Sequence, residues 1–172
     1  MNGIYTNDLN KKMGYSNGIF TRAETTNTNK TYYKKPSSSS LIFKQIMNKV
    51  HHIAIISSNY EVSKRFYIDV LNLEVIREVY REERKSHKLD LSLNGEYIIE
   101  LFSFPNPPKR PSKPESCGLR HLAFEVDDLD NIIAHCKSYN VIAEPIRVDE
   151  FTQKRFTFIA HPDDLPIEFY EK

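Results

Sequence analysis

The sequence predicts an α+β fold made of two paired βαβββ modules whose strands form a cup-shaped mixed sheet. Three observations support this. From residue 50 onward, short β-branched and aromatic runs alternate with two stretches of helical periodicity. The order strand, helix, three strands occurs twice. Two short sequences recur at matching positions: His52-Ile-Ala-Ile55 matches His121-Leu-Ala-Phe124, and Ile99-Glu-Leu-Phe102 matches Ile167-Glu-Phe-Tyr170.

The first module is predicted over residues 50–104. Its opening strand, residues 52–56, is apolar on both faces, so we expect both faces to be covered. Any of residues 57–59 can cap the helix predicted over residues 60–71, whose buried face should comprise Val62, Phe66, Tyr67 and Val70. Three strands follow at residues 74–81, 88–93 and 96–104, with the charged run at residues 81–85 forming a solvated hairpin end and Asn94-Gly95 a tight turn.

A linker rich in Pro, Lys and Ser, residues 105–117, leads to the second module, residues 118–172. Its first strand is predicted over residues 119–126, and Asp127 or Asp128 should cap a helix that ends near Asn140. The helical face is indicated by Leu129, Ile132, Ile133 and Cys136. The remaining strands are predicted at residues 141–148, 155–160 and 166–171.

Residues 1–46 differ from the rest of the chain. They carry seven basic and two acidic residues, a net of +5, whereas residues 47–172 carry −4. This stretch is rich in Asn, Thr and Ser and has neither helical nor strand periodicity. We expect a disordered or non-native N-terminal extension, either a tail or sequence upstream of a start at Met47. An organellar transit peptide is the third reading. The folded domain is expected at residues 47–172.

Composition excludes several function classes. The 172 residues have a net charge of +1, which argues against a nucleic-acid-binding protein. No apolar run is long enough to span a membrane and no signal peptide is recognisable, so we expect a cytoplasmic protein. With two cysteines, Cys117 and Cys136, neither a disulfide scaffold nor a Cys-rich zinc site is expected.

Each module contributes one His from its first strand and one Glu from its last, namely His52 with Glu100 and His121 with Glu168. A lone carboxylate is costly to bury in an apolar strand, so it must be paired, metal-bound or turned outward. Taken singly, such a His is usually a satisfied core residue and such a Glu usually faces water. Their recurrence at equivalent points of a duplicated module favours a divalent-metal site with two nitrogen and two oxygen ligands.

Other polar residues have simpler explanations. We expect His51 and Arg120 to point away from the metal site, His161 to serve the turn at residues 161–164, and His87 and His135 to flank a strand and a helix. Cys117 lacks the neighbouring base that a nucleophile needs.

From Val50 to Lys172 the sequence resembles the vicinal oxygen chelate superfamily, whose members pair βαβββ modules around one divalent metal ion. The resemblance includes the helix sequence Arg65–Leu73 and the turn and strand His161–Phe169. Within that superfamily, glyoxalase I presents His, Glu, His and Glu, the residue types found here at the four metal-ligand positions. Ring-cleaving dioxygenases and fosfomycin-resistance proteins lack a ligand at the position of Glu100, and methylmalonyl-CoA epimerases commonly have Gln there.

The resemblance implies a divalent-metal-dependent lyase or isomerase of the glyoxalase I type, acting on a small molecule through a metal-bound enediolate. It implies a homodimer, one ion per site (Ni, Co, Zn, Mn or Fe(II)), and a catalytic base that is either Glu168 or Glu100. Glutathione or another thiol is allowed as cosubstrate, although the family's glutathione-contacting Arg and Asn correspond to Ile56 and Phe104 here. The nearest likeness is to short bacterial glyoxalase-like proteins.

Two alternatives remain open. One is an iron(II) dioxygenase of the ring-cleaving type, which would consume oxygen. The other is a non-catalytic module of the bleomycin-resistance type, which sequesters a small molecule or drug and needs no metal.

Overall fold

The structure, a computed structural model, describes residues 46–172, of which Asn48–Lys172 form one compact unit. The prediction of an N-terminal extension therefore lies almost wholly outside the described residues. The elements follow in the order β1 (Ile53–Ser57), α1 (Tyr60–Arg65), a π-helical segment (Phe66–Val70), β2 (Glu74–Arg81), a 3₁₀ turn (Glu82–Arg84), β3 (Ser86–Leu93), β4 (Glu96–Ser103), β5 (Leu122–Val126), α2 (Leu129–Ser138), β6 (Arg147–Val148), β7 (Arg155–Ala160) and β8 (Pro166–Glu171).

The strands form two four-stranded mixed sheets of the same design. Their orders are β1-β4-β3-β2 and β5-β8-β7-β6. In each sheet the first and last strands of the module pair in parallel, and the other pairs are antiparallel. The predicted α+β fold of two βαβββ modules is thus confirmed, with the hydrogen bonds dividing the strands into two sheets.

One face of each sheet is covered by the module's helical segment. In the first sheet this face carries Leu89, Leu91, Ile99 and Leu101, which are completely buried. In the second it carries Ile159, Ile167 and Phe169, and the helix adds Leu129 and Cys136. Because side chains alternate along a strand, burying these residues turns their sequence neighbours toward the opposite, open face.

Strand β1 is covered on only one face, whereas the sequence predicts cover on both. Both of its faces were expected to be covered, but Ala54 is exposed and Ile56 is 53% exposed, because no element among residues 46–172 packs fully over that face. Val79 of β2 lies on the same face, since alternation from the paired Arg77 and Asp90 brings it there, and it is 41% exposed. An apolar surface of this kind is typical of a surface that another chain can cover.

The local signals at the helix starts and the tight turn are confirmed. Asn59 accepts a hydrogen bond from the Val62 N–H at 3.2 Å and caps α1, and Asp128 accepts one from the Asn131 N–H at 3.0 Å and caps α2. Asn94 and Gly95 both have positive φ, 51° and 77°, as the tight turn between β3 and β4 requires.

Three predicted elements are wrong in detail. The strand predicted over residues 119–126 is shorter, because β5 begins at Leu122. The helical phase changes at Phe66, where a π-helical segment begins, so Val62 is 48% exposed while Tyr60 and Ser63 are buried in its place. The strand predicted at residues 141–148 shrinks to Arg147–Val148. Pro145 has no N–H to donate and restricts its neighbour. Before β6 this segment is hydrogen-bonded to β7 at Glu144, whose N–H donates to the Phe158 carbonyl at 2.8 Å and whose carbonyl accepts from the Thr157 hydroxyl at 2.7 Å.

The modules contact each other through their helical sides and one turn. Asp163 accepts hydrogen bonds from the Ser58 backbone N–H, at 3.1 Å, and from its hydroxyl. His135 of α2 lies 3.1 Å from the Val70 carbonyl oxygen. These contacts lie on the helical sides of the modules, so they do not cover the open face of either sheet.

None of the helices described between residues 46 and 172 has the length and apolar character needed to cross a membrane.

His161 has the turn role that the sequence predicts. It is 1% exposed, packs against the rings of Phe66 and Tyr67, and its Nδ1 accepts a hydrogen bond from the Asp163 N–H at 3.0 Å. Burial lowers the pKa of His161 from 6.5 to about 4, although the nearby charges of Asp163 and Asp164 act to raise it. A proton on Nδ1 would also remove the acceptor that closes the turn.

We therefore expect His161 to destabilise the fold as the pH falls from about 6.5 toward 4. The unfolded chain binds this proton below pH 6.5 and the folded chain does not, which amounts to about 2 kcal/mol between pH 7.5 and pH 5. His161→Asn keeps an acceptor for the Asp163 N–H but does not titrate. Urea unfolding across this range should give a difference between wild type and variant that changes with pH. Parallel stability curves would contradict the assignment.

Candidate metal centre

The parallel pairing of β1 with β4 sets the position of the first His and Glu. Ala54 lies opposite Glu100 in the register, and His52 stands two residues before Ala54, so the His and the Glu share the open face. The His52 Nε2 lies 3.3 Å from the Glu100 Oε2. Their side chains are 35% and 14% exposed.

The second module repeats this arrangement. Ala123 of β5 lies opposite Glu168 of β8, and His121 stands two residues earlier. The His121 Nε2 lies 3.0 Å from the Glu168 Oε2, and the two side chains are 29% and 12% exposed. The Nδ1 of His121 is buried without a hydrogen-bond partner among residues 46–172, so Nε2 is the nitrogen that meets the carboxylate.

These distances fit two donors that bind one cation side by side. Imidazole nitrogen and carboxylate oxygen bind first-row divalent ions at about 2.0–2.2 Å, so neighbouring ligands at a right angle lie about 3 Å apart. Both pairs use Nε2 and one carboxylate oxygen, which is a nitrogen and oxygen donor set that suits such ions. Each pair is therefore chemically able to serve as half of a divalent-metal site.

The structure brings the four predicted ligands together as two pairs. In the part of the chain that it describes, no group of three or more His, Cys, Asp or Glu side chains lies close enough to hold one metal ion. The four-ligand metal site therefore stays a prediction.

The position of His52 is supported by two neighbours. Its Nδ1 lies 2.8 Å from the Nδ1 of His51, and its ring stacks on Tyr97 at 5.1 Å. A His that binds metal through one nitrogen commonly has its other nitrogen hydrogen-bonded, which fixes the ring orientation. His51, which the sequence placed on the opposite face, is exposed but still reaches His52 in this way.

Glu100 belongs to a charged network that the sequence did not reveal. Lys88 of β3 lies 2.5 Å from the Glu100 Oε1 and 2.5 Å from the Asp90 Oδ1. Asp90, 2% exposed, also accepts hydrogen bonds from Arg77, at 2.6 Å and 3.0 Å, and from the Tyr97 hydroxyl at 3.0 Å. The only available signal was alternation, since Lys88 and Asp90 flank the buried Leu89 and so share the face of Glu100.

The network controls the charge of both carboxylates. Burial acts to raise the pKa of Glu100, but the hydrogen bond and charge of Lys88, together with His52, lower it overall. Burial opposes the shift of Asp90 too, yet its hydrogen bonds from Lys88, Arg77 and Tyr97 lower the pKa of that carboxyl. Both groups are held as carboxylates, and Glu100 lies beside His52.

Glu168 has fewer partners. Its Oε2 faces His121, while Oε1 has no hydrogen-bond or ion-pair partner in the described residues. The open face around it forms a cavity of about 780 Å³ that also contains His121 and is bounded by the linker, β7 and the start of β8. A cavity of this size suits a small molecule.

The cavity also contains residues that the sequence did not single out. Arg147 lies over the rings of Phe156 and Phe158, 5.0 Å from each centroid, and Arg110 enters from the linker. Arg120, which the sequence placed away from the metal site, borders the same cavity as His121 and Glu168 and pairs there with Glu115 at 2.8 Å. No local pattern indicates the position of Arg110, because the linker has no periodicity.

The remaining candidates have structural roles. His87 lies between the rings of Tyr60 and Tyr80, with centroids at 4.3 Å and 4.8 Å, and His135 contacts the first module. Cys117 and Cys136 are both free, the first exposed and the second buried. None of these residues adjoins either His and Glu pair.

Comparison with known proteins agrees with this architecture. Residues 49–169 match the model of the Glyoxalase/Bleomycin resistance protein/Dioxygenase superfamily. The chain is 63% identical over 126 residues to the uncharacterized protein YaeR of Escherichia coli (strain K12), covering 73% of this chain and 98% of that protein. It is 57% identical over 127 residues to the uncharacterized protein YwkD of Bacillus subtilis (strain 168), covering 74% and 99%.

A solved structure gives the same result. The glyoxalase family protein from Enterococcus faecalis is 46% identical, with a TM-score of 0.67, and the match covers 72% of this chain and 97% of that chain. The similarity covers both modules, so the fold is that of this relative's family.

The network around Glu100 predicts a large effect for one buried carboxylate. Asp90→Ala should lower the free energy of unfolding by about 3 kcal/mol, because it leaves Lys88 without one of its two anions and removes a buried acceptor. Glu115→Ala, which breaks only the exposed pair with Arg120, should change stability little. Urea unfolding at neutral pH compares the two variants. Equal effects would mean that the network contributes no more than a surface ion pair.

Proposed function

This chain belongs to the Glyoxalase/Bleomycin resistance protein/Dioxygenase superfamily, and on that premise we propose that it is a divalent-metal-dependent lyase or isomerase of the glyoxalase I type. Members of the superfamily typically bind a divalent metal, act on small molecules and include enzymes. The observation that carries the proposal is the pairing of an imidazole Nε2 with a carboxylate oxygen in each module, at 3.3 Å and 3.0 Å.

The proposed ligands are His52, Glu100, His121 and Glu168. Two neutral nitrogens and two carboxylates suit Ni, Co, Zn, Mn or Fe(II). When bound, such an ion supplies Lewis-acid polarisation of two adjacent substrate oxygens. The cavity beside Glu168 is large enough for a hydroxyketone or a thiol adduct of an aldehyde.

We assign the role of catalytic base to Glu168 rather than Glu100. Both oxygens of Glu100 are engaged, one by Lys88 and one by His52. Glu168 has one oxygen without a partner among the described residues and borders the cavity. A carboxylate with a free oxygen can accept a proton from a substrate carbon and return it to the adjacent carbon, whereas one fixed by Lys88 is better suited to hold its position.

Glu168→Gln should therefore abolish turnover, with a loss of at least about 100-fold, because the amide cannot accept the proton. Glu100→Gln, the matched variant, should act mainly by weakening metal binding, so excess metal should partly restore its activity. Metal content by elemental analysis and turnover of methylglyoxal with a panel of thiols separate these effects. Unimpaired activity of Glu168→Gln would overturn the assignment.

We further propose that the site is completed by a second copy of this chain. The two pairs lie in separate sheets, and the described residues bring no third ligand to either pair. Ile56 and Val79 leave apolar area exposed on the face of Glu100, which a second copy would cover. Proteins of this superfamily commonly form dimers. In such a homodimer the first module of one copy faces the second module of the other, giving two equal sites.

Co-expression of two inactive chains tests this arrangement. Chains with His52→Ala and His121→Ala, carrying different affinity tags, should form heterodimers in which one of the two sites has all four ligands. Such heterodimers should recover about half of the wild-type metal content and turnover. In the control dimer both chains carry His52→Ala, and it should recover neither metal content nor turnover.

If each site were built within one chain, every site of the mixed heterodimer would carry a lesion and nothing would be recovered. A protein that is monomeric by light scattering would also contradict the arrangement. Wild-type protein without any bound metal would instead favour the binding-module alternative, and oxygen consumption would favour the dioxygenase.

A further inference from the structure

The cavity around Glu168 contains an arginine that has no carboxylate partner. Arg110, a half-buried residue of the linker, borders the cavity together with His121 and Glu168. Within residues 46–172 it forms no ion pair, and its hydrogen bonds go only to a hydroxyl and to backbone carbonyls. A guanidinium that has lost part of its hydration without gaining an anion is available for one.

Arg110 is held in a fixed position on the cavity that also contains His121 and Glu168. Its Nε donates to the Ser112 Oγ at 3.1 Å, and its Nη2 donates to the carbonyl oxygens of Leu119 and Arg120, the latter at 3.4 Å. These carbonyls belong to the two residues that precede His121. The guanidinium is therefore tied to the backbone that carries a proposed ligand, while its Nη1 makes no hydrogen bond to the described residues.

The other arginines that line the cavity are compensated. Arg120 pairs with Glu115 at 2.8 Å, and Arg147 pairs with Glu144 at 3.0 Å while lying over two Phe rings. Lys113, exposed on the same linker, adds a positive charge but not a fixed one. Among the described residues that line this cavity, Arg110 is thus the cation that is held by hydrogen bonds and has no carboxylate partner.

We propose that Arg110 binds an oxyanion of the substrate, a carboxylate or a phosphate, next to the metal-binding pair of His121 and Glu168. The inference rests on the proposed function for its substrate, since it states which chemical class the site accepts. Guanidinium binds such groups through charge-assisted hydrogen bonds, and a positioned one loses little entropy on binding. A cavity of about 780 Å³ accommodates a small metabolite that carries this group beside its reacting carbons.

Calorimetric titration of the full-length protein with malonate, and separately with inorganic phosphate, tests the proposal. Both titrations are made on metal-free protein, so that binding at the metal does not contribute. Arg110→Gln should weaken binding of the preferred anion by at least about tenfold, the usual effect of losing a charge-assisted contact. Preference for malonate assigns a carboxylate substrate, and preference for phosphate assigns a phosphorylated one.

Arg120→Gln is the matched control, because it removes the same charge from the same cavity while Arg110 stays in place. Its affinity for the anions should stay within about twofold of wild type. Since Arg110 also holds the linker, thermal unfolding is measured for each variant. Arg110→Lys should keep the charge but bind more weakly than wild type, because it lacks the fixed fork of donors.

Equal losses in Arg110→Gln and Arg120→Gln would overturn the proposal in favour of general charge attraction. Failure of wild-type protein to bind either anion at millimolar concentration would overturn it as well. Failure of the metal assignment would appear separately, as wild-type protein that binds the anion but no divalent metal.

Discussion

In each module the first and last strands pair in parallel, and this pairing determines where the His and the Glu meet. The register sets Ala54 opposite Glu100 and Ala123 opposite Glu168, with each His two residues before its Ala. Side-chain alternation then puts both polar groups on one face. The apolar face beneath, with residues such as Ile99 and Ile167 fully buried, fixes this choice of face, because a slip of one residue would expose the core.

The same constraint leaves an open polar face that is not satisfied by the helices of the chain. A carboxylate on such a face needs a partner, and each module provides a different one. Glu100 is held by Lys88 and by His52, whereas Glu168 has only His121 as a partner between residues 46 and 172 and borders a cavity. Two nearly identical frameworks thus present carboxylates with different partners, and the proposed difference in their roles rests on this.

Much of the framework could be predicted from local sequence. Strands β2, β7 and β8 match their predicted bounds, the Asn94-Gly95 turn has the required positive φ values, and the predicted caps include Asn59 and Asp128. These features depend on residues close together in the chain. The duplication also predicted that the His and the Glu occupy equivalent places in the two modules, and the strands that carry them pair in the same way in both sheets.

The features that could not be predicted depend on contacts between residues far apart in the sequence. The π-helical segment shifts the buried face of the first helical stretch, which no spacing of apolar residues indicates. The Lys88 contacts to Asp90 and Glu100 require the register of β3 on β4, and Arg110 is positioned by backbone carbonyls nine and ten residues away. The exposed area at Ile56 likewise depends on what covers the open face of the sheet.

In the proposed homodimer, each of the two metal sites is built from the His52 and Glu100 pair of one copy and the His121 and Glu168 pair of the other. Crystals of the protein loaded with cobalt or zinc, measured at the absorption edge of the metal, test it directly. We expect an anomalous peak about 2.1 Å from the Nε2 atoms of His52 in one copy and His121 in the other, with Glu100 and Glu168 completing the set. A peak bound to a single pair, or to four ligands of one chain, would contradict the claim.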